Sequence, residues 1–559
     1  MKKILNDLKN NEYLKISLII TLIIYLPSLY FNFFIFDDNH NIILNSRVNE
    51  LTDLLLPWSK SKIPLSYNYW QIMNIFFGTE SPAPFRFINI LLHLFNGLII
   101  YKLLSQDKTK NTIAAISTSI FLLHPVVVQS VVWLSSAREL FATFFTLLAT
   151  YLLTNNEINA KSLSKALILF AISITFKPIS VAAPIILLIY IYKNKKEFFF
   201  PLLSATLIVN SLIFYAYYNE ILKALNIFDY NFLKSLGVSA ISLSYYIRNY
   251  FAPFFLEYNY NLTPTNAIDS YSSIKILINT AFILLPIIVI YFQKSRRKEL
   301  SLSFFSFIIL IAINTGIIPF NHQYISTVAD RYLYLPSIAL IFFIYYFLCQ
   351  ISPKNYLKLS IVILAPLMLL SMNEVSKWKT SSQRLYKSKF TNDLDLFSYI
   401  NALIKDGMLE KAQKVSNTQF KSKSFSDELN IELSIFQESY KNTRSEDLID
   451  VAHTKIEDVP TELYPLLANY SYHNNNFYMA RLTYVYSQKS DFKYLLDFDM
   501  DKLLEREKRY NDKILKEVTL IPLMQKNKFL SKRIYNILRP IVSDKETYDL
   551  EISKQLNIK

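Results

Sequence analysis

FDDNHNIILN, residues 36–45, follows the first long apolar run of the chain almost without a spacer. That run, at about 16–36, has the length of a bilayer span, about 20 predominantly apolar residues. Asp37 and Asp38 therefore stand where a membrane helix emerges into water. Two adjacent carboxylates at that height need a reason, because a charge in or beside hydrocarbon costs roughly 2.5–3.5 kcal/mol on insertion scales. They read either as part of a functional site or as a solvated polar stop to the helix, and the rest of the chain decides between the two.

Before this stretch lies a basic leader with Lys2, Lys3, Lys9 and Lys15, and no small-residue cleavage site follows the run. The leader and run predict a retained first membrane helix with a cytoplasmic N-terminus. After it, apolar runs recur at about 86–104, 112–126, 136–153, 164–176, 179–192, 198–218, 273–293, 302–320, 333–350 and 357–372. The expectation is about 11 transmembrane helices. Lys108 and Lys110, Lys161 and Lys165, Lys193 with Lys195 and Lys196, Lys294 to Lys298, and Lys354 with Lys358 fall in every second connection, which the positive-inside rule makes cytoplasmic. Region 236–256 is apolar enough to tempt a twelfth span. Counting it would export Lys294, Arg296, Arg297 and Lys298, and Arg248 and Asn249 sit in its middle, so it reads as interfacial or re-entrant. The segments 37–85 and 219–272 then form outer-face loops, and Trp58, Trp70, Trp133 and Trp378 lie at or beyond the outer boundary, as an aromatic belt does.

The chain is 52% hydrophobic yet 18% charged, too apolar for a soluble multidomain protein and too charged to be membrane throughout. The division falls near 375: residues 1–374 form the membrane domain, and 375–559 a soluble all-α domain on the non-cytoplasmic side. In that tail KDGMLEKA (405–412) and HNNNFYMA (473–480) each place an alanine, Ala412 or Ala480, five residues after a turn residue, Gly407 or Asn475. The two turns are 68 residues apart, twice the ~34-residue tetratricopeptide period, so a TPR-like arrangement is expected, with a plain helical bundle as the simpler alternative. The basic end, with Lys526, Lys528, Lys532, Arg533 and Arg539 among apolar residues, suits a solvated helix, with a helix lying on a membrane surface as the alternative. Composition also excludes several classes. The single cysteine, Cys349, forbids an intrachain disulfide. The five glycines are too scattered for a P-loop or a dinucleotide fingerprint, so no nucleotide is held in a glycine loop. Loop topology and anionic lipid account for much of the net charge of +15, and no nucleic-acid partner is expected.

With this topology polar groups collect on one side. Asp37 and Asp38 follow span one, His124 ends span three, Arg138 opens span four, Lys177 joins spans five and six, and Asp330 with Arg331 precedes span ten. Each has an ordinary explanation: an arginine snorkels, His124 before Pro125 caps a helix, Asp330 and Arg331 neutralise each other. Together they put acids and three permanent cations around one site at the water boundary. Such a site suits a substrate with a lipid tail and a phosphate head, since cations hold the phosphate while a carboxylate takes a proton.

FDDNHNIILN, FINILLHLFN (87–96), HPVVVQSVVWLSSARELFA (124–142) and VADRYLYLPSIAL (328–340) give the chain a family likeness. It resembles the GT-C membrane glycosyltransferases, most closely the transmembrane and tetratricopeptide-repeat-containing (TMTC) O-mannosyltransferases and their bacterial relatives. The likeness runs over most of the length, helical tail included. It departs from the family pattern at Gln129, where relatives carry glutamate; at Ala137–Arg138, where they have Gly-Arg; at Ile63–Pro64–Leu65, where they have Arg-Pro-Leu; and at Phe176–Lys177–Pro178, where they have Ser-Lys-Glu. The framework is kept, while donor or acceptor choice can differ from mannose and protein.

The resemblance implies a polyprenyl-phosphate-linked sugar as donor and transfer to an acceptor hydroxyl, a Ser/Thr of a secreted or periplasmic protein. One of Asp37 and Asp38 would act as general base, with Asp38, the further from the span, slightly favoured; Arg331, Arg138 and Lys177 would hold the donor phosphate. His40, His124, Gln129 and Asp330 would complete the outer-face site. An oxygen-ligated divalent cation, Mg or Mn, could sit between the aspartates and His40, but a lone DD-x-H does not specify one. The alternatives are oligosaccharide transfer to pilin-like proteins, sugar transfer to an outer-leaflet glycolipid, and, outside enzymes, a lipid or polysaccharide transporter or a membrane scaffold. Lysine-, asparagine- and isoleucine-rich composition points to an AT-rich bacterial genome, hence an inner-membrane protein with a periplasmic tail.

Overall fold

The computed structural model describes residues 11–34, 38, 41–42, 55, 58, 61–79, 81–155, 158–227, 232–269, 273–320, 323 and 325–385, with scattered positions from 396 to 539. The described residues are helical and contain no strand. The chain divides into two compact units, Met1–Asp406 and Gly407–Lys559, so residues just beyond 375 belong to the first. Gly407, Ala412, Asn475 and Ala480, on which the repeat reading rests, lie outside the described residues, as do Asp37 and His40.

Helix α1 (Glu12–Tyr25) starts on Asn11, whose side chain accepts from the Leu14 amide, and runs on as a 3₁₀ turn over Leu26–Tyr30, where Pro27 has no N–H to continue the α ladder. Helix α2 (Pro64–Phe77) opens on a proline, tolerated at a first turn, and closes on Gly78 at φ +67°. Helices α3 (Ala83–Leu104) and α4 (Asn111–Leu122) meet at Gly97, where a Cβ would come within 2.6 Å of a Leu122 methyl. At His124–Pro125 the chain bends by 49° into a short continuation that includes α5 (Val128–Val132). Helices α6 (Ala137–Asn155) and α7 (Ala160–Phe176) pack along their length, α7 started by a capping box between Asn159 and Ser162. There follow α8 (Ala183–Asn194), α9 (Phe199–Ile227), α10 (Phe232–Phe251), α11 (Pro264–Asp269), α12 (Ser273–Phe292), α13 (Arg297–Ile311), α14 (Pro336–Leu348), α15 (Pro353–Ser376) and α16 (Ser381–Leu385).

Each apolar run read from the sequence overlaps one of these helices, the run at 302–320 only as far as Ile311, but they are not equally suited to cross a bilayer. Among the described residues four helical stretches are long and apolar enough, Glu12–Tyr30, Ala83–Leu104, Lys196–Asn219 and Asn355–Ser376, and a fifth if the bent pair Asn111–Leu122 with Pro125–Val132 is one span. Several others, such as Pro178–Asn194 and Pro336–Leu348, are apolar but shorter. α10 is not among the candidates. The faces left bare on the candidates are hydrocarbon-like: Leu207, Ile208, Leu212 and Phe214 on α9, and Ile361, Val362 and Leu369 on α15, are exposed. Apolar surface of that extent is not left to water in a soluble monomer, so the chain is membrane-associated.

Candidate active site at one end of the bundle

The ends of seven helices meet on one side: the C-terminal ends of α1, α5, α7 and α15 and the N-terminal ends of α3, α6 and α14. Arg86, in the first turn of α3, joins three of them. Its Nη1 donates to the Phe31 carbonyl, its Nη2 to Asn32 O at 2.5 Å and its Nε to Val132 O at 3.2 Å. These carbonyls close the α1 segment and α5, where helix ends leave acceptors unsatisfied. Asn89, one turn on, donates to Val131 O and Trp133 O.

Asp38 is anchored in this junction. Its Oδ1 accepts from the Ser135 amide at 2.9 Å and the Ser135 hydroxyl at 2.7 Å, and its Oδ2 accepts from the Phe34 amide at 3.0 Å. The carboxylate is fully buried. Burial pushes it up to about 6, against the opposing pull of the Ser135 and Phe34 hydrogen bonds and of Arg86. Asn41 extends the tether, its Nδ2 donating to Ser135 Oγ while its Oδ1 accepts from Tyr67 OH, both at 3.4 Å. Asn74 donates to Ile42 O at 2.9 Å. Beneath lies an apolar cluster of Ile42, Trp70, Met73, Phe85 and Leu134. Asp38 thus ties Phe34 to the turn between α5 and α6, a different setting from the water-facing one expected.

The three cations named from the sequence come together. Lys177 Nζ lies 2.9 Å from Glu139 Oε1, and Arg138 Nε 3.6 Å from Glu139 Oε2. Lys177 also lies 5.5 Å from the Tyr332 ring centroid, and the Arg331 guanidinium 4.8 Å from the same ring and 4.9 Å from that of Trp133. Burial, with Arg138 and Arg331 adding to it, pulls the Lys177 ammonium down to about 8 although Glu139 opposes. Among the described residues Lys177 and Arg138 share the Glu139 carboxylate, and Arg331 lies close enough to act on Lys177. Gln129 belongs to this site as a support: its Oε1 accepts from the Arg331 amide at 2.8 Å, and Ser130 Oγ donates to Arg331 O at 3.5 Å.

A wall of aromatic rings connects the cations to the Asp38 tether. Trp133 contacts Phe34 at 5.9 Å, Tyr258 at 5.8 Å and Trp378 at 6.0 Å. Since Phe34 and Ser135 hold Asp38 while Arg331 rests on Trp133, acid and cations share one wall. Trp378 in turn carries Arg384, 4.9 Å over its ring, whose Nη1 pairs with Glu374 Oε2 at 3.0 Å.

Two other residues named from the sequence hold the fold here. His124 Nδ1 accepts from the Val126 amide at 3.2 Å, its Nε2 meets Tyr250 O at 3.0 Å, and its ring stacks on Tyr250 at 4.5 Å; both nitrogens are used in capping the bend and tying it to α10. Asp330 does not pair with Arg331. Its Oδ1 accepts from Tyr260 OH at 2.7 Å and Asn249 Nδ2 at 3.2 Å, and burial pushes it up to about 7 despite those bonds. Successive residues of the 3₁₀ turn Asp330–Leu333 point about 120° apart, which sends the acid toward α10 and the arginine toward Trp133. Sequence reading missed Glu139, Tyr332, Arg86 and Ser135; all but Arg86 and its α3 turn lie inside the quoted motifs.

Among the described residues no three carboxylate, imidazole or thiol groups come together as a metal cage. The Asp38 oxygens are already engaged by three donors, a poor fit to a cation ligand, and no step below is routed through a metal. Comparison with known protein families, with characterised proteins and with solved structures returns no match.

Proposed function

We propose that the chain is a membrane glycosyltransferase that moves a sugar from a polyprenyl-phosphate donor to an acceptor hydroxyl, a Ser/Thr of an exported protein. The observation that carries this reading is the convergence of the cations Lys177, Arg138 and Arg331 on one patch beside the wall that holds Asp38. A partly buried patch of cations at the end of apolar helices fits a phosphate whose lipid tail lies in the bilayer. On this reading eleven helices cross, the site faces the periplasm of a bacterial inner membrane, and a TPR-like tail receives the acceptor.

The base is Asp37. Asp38, buried with both oxygens engaged, orients the stretch, and its neighbour takes the proton. The acceptor hydroxyl gives its proton to the Asp37 carboxylate as its oxygen attacks the sugar's anomeric carbon. The bond from that carbon to the phosphate oxygen breaks, and its electron pair stays on the phosphate. Arg331, Arg138 and Lys177 stabilise the charge that develops there, the preorganised cations acting where the transition state gains charge.

The test is transfer from a defined polyprenyl-phosphate sugar by the purified chain in lipid. Asp37→Asn should lower turnover by about 10²–10⁴-fold, the range for loss of a general base, with folding unchanged. Arg331→Ala should weaken donor use and Arg331→Lys restore it in part, because a point charge lacks the bidentate fork. Full activity in Asp37→Asn would sink the assignment.

A further inference from the structure

Tyr332 is in contact with two like charges at once. The Arg331 guanidinium and the Lys177 ammonium both lie on its ring, at 4.8 and 5.5 Å, and Arg331 Nη2 also donates to its hydroxyl at 3.4 Å. The ring is 4% exposed and fixed in a 3₁₀ turn. Arg331 also meets the Trp133 ring, 4.9 Å away, so the guanidinium contacts two rings. Trp133 is itself backed by Trp378, stacked at 28°, and Trp378 by Arg384 and its partner Glu374. Arg331 thus rests on a chain of rings that ends at Arg384, beyond the last long helix, and at Glu374 in that helix's last turn.

Aromatic and acidic neighbours hold a cation with different consequences. A carboxylate such as Glu139 cancels charge, whereas an aromatic face attracts a cation through its quadrupole and leaves the net charge whole. Where cations must be kept close yet remain charged for an arriving anion, rings are the suitable spacers. Burial is the main cause of the depressed Lys177, and Arg138 and Arg331 add to it, which places the three cations close together.

We infer that Tyr332 and Trp133 are positioning residues that set the spacing and orientation of Arg331 and Lys177 for a lipid-linked phosphate. The inference rests on the donor reading above, and its test separates the two. The full chain in lipid nanodiscs is titrated with a polyprenyl monophosphate and, as control, the polyprenol of the same length, with tryptophan fluorescence as the signal. The native chain should prefer the phosphate. Tyr332→Leu should lower phosphate affinity by about tenfold, the sum of two partly desolvated cation–π contacts, with polyprenol affinity unchanged, while Tyr332→Phe, which keeps the ring, should stay within about threefold. If Tyr332→Leu does not fold, Trp133→Leu carries the same expectation with Trp133→Phe as its rescue, both read by competition against a fluorescently labelled polyprenyl monophosphate. Native-like phosphate affinity in the leucine variant overturns the inference alone, and so does a phenylalanine variant as weak as the leucine one. Equal affinity of the native chain for polyprenol and its phosphate overturns the inference and the donor reading together.

Discussion

Asp38→Ala should destabilise the membrane unit, and the structure allows its size to be worked out. The substitution strips the acceptor from three buried donors, the Ser135 amide, the Ser135 hydroxyl and the Phe34 amide. Each unsatisfied buried group costs about 1–3 kcal/mol, roughly 6 kcal/mol in all. Against this, a carboxyl moved from 3.8 to about 6 by burial carries a charge penalty on the order of 3 kcal/mol at neutral pH, which the alanine relieves. The net expected loss is roughly 3 kcal/mol. Asp38→Asn keeps one oxygen for Ser135 and sets its amide against the Phe34 N–H, losing about 2 kcal/mol while relieving the same penalty, so it should be near neutral at pH 7.

The pH dependence gives a second readout of the same tether. Because the folded-state value lies above the unfolded one, the Asp38 contribution is fully present below about 3.8 and is lost as pH rises through about 6. The native chain should therefore gain stability between pH 7 and 4, Asp330 adding in the same direction from its value of about 7, and Asp38→Asn should flatten that slope. Thermal unfolding in detergent at pH 7 and 5 measures both quantities. A midpoint in Asp38→Ala equal to native at both pH values would refute the anchoring role.

Two further outcomes follow from charge. Lys177, pulled down to about 8, loses its charge as pH rises through that value, so phosphate affinity should fall above pH 8; Lys177→Arg should carry the affinity unchanged to pH 10, and a flat native profile would count against Lys177 as a ligand. Reporter fusions after Asn266 and after Asn373 should both behave as exported, and a cytoplasmic signal from either breaks the eleven-span topology.

Lys177, Arg138 and Arg331 were grouped from the sequence by counting helix junctions and the charge at them, and the contacts through Glu139 and Tyr332 bring the three together. What each group does there was not legible. Asp38 looked solvent-facing because its burial is imposed by Ser135, 97 residues away in sequence. The pairing of Asp330 with Arg331 seemed natural from adjacency, yet a 3₁₀ turn separates neighbours by direction. His124 is the opposite case, since a histidine before a proline at a helix break already suggested the cap that it makes. Glu139 and Tyr332 escaped notice for a common reason. Both sit beside arginines in sequence, where an acid reads as a local ion pair and a tyrosine as interfacial, and only the packing of α6, α7 and the turn before α14 shows them gripping cations from other helices.

The division of labour among those grips bears on how such a site can turn over. Glu139 reaches Lys177 and Arg138, while Arg331 rests on the rings of Trp133 and Tyr332. A patch neutralised by acids throughout would bind an anion weakly, since the arriving phosphate would compete at every cation with a carboxylate that never dissociates. A patch with no acid would bind the departing lipid phosphate, which gains charge as the sugar leaves, tightly enough to slow its release. Among the described residues the single carboxylate of Glu139 lies between these limits. On the proposed function it would leave Arg331, resting on its two rings, to meet the phosphate and would keep an internal anion for Lys177 and Arg138 when the product departs.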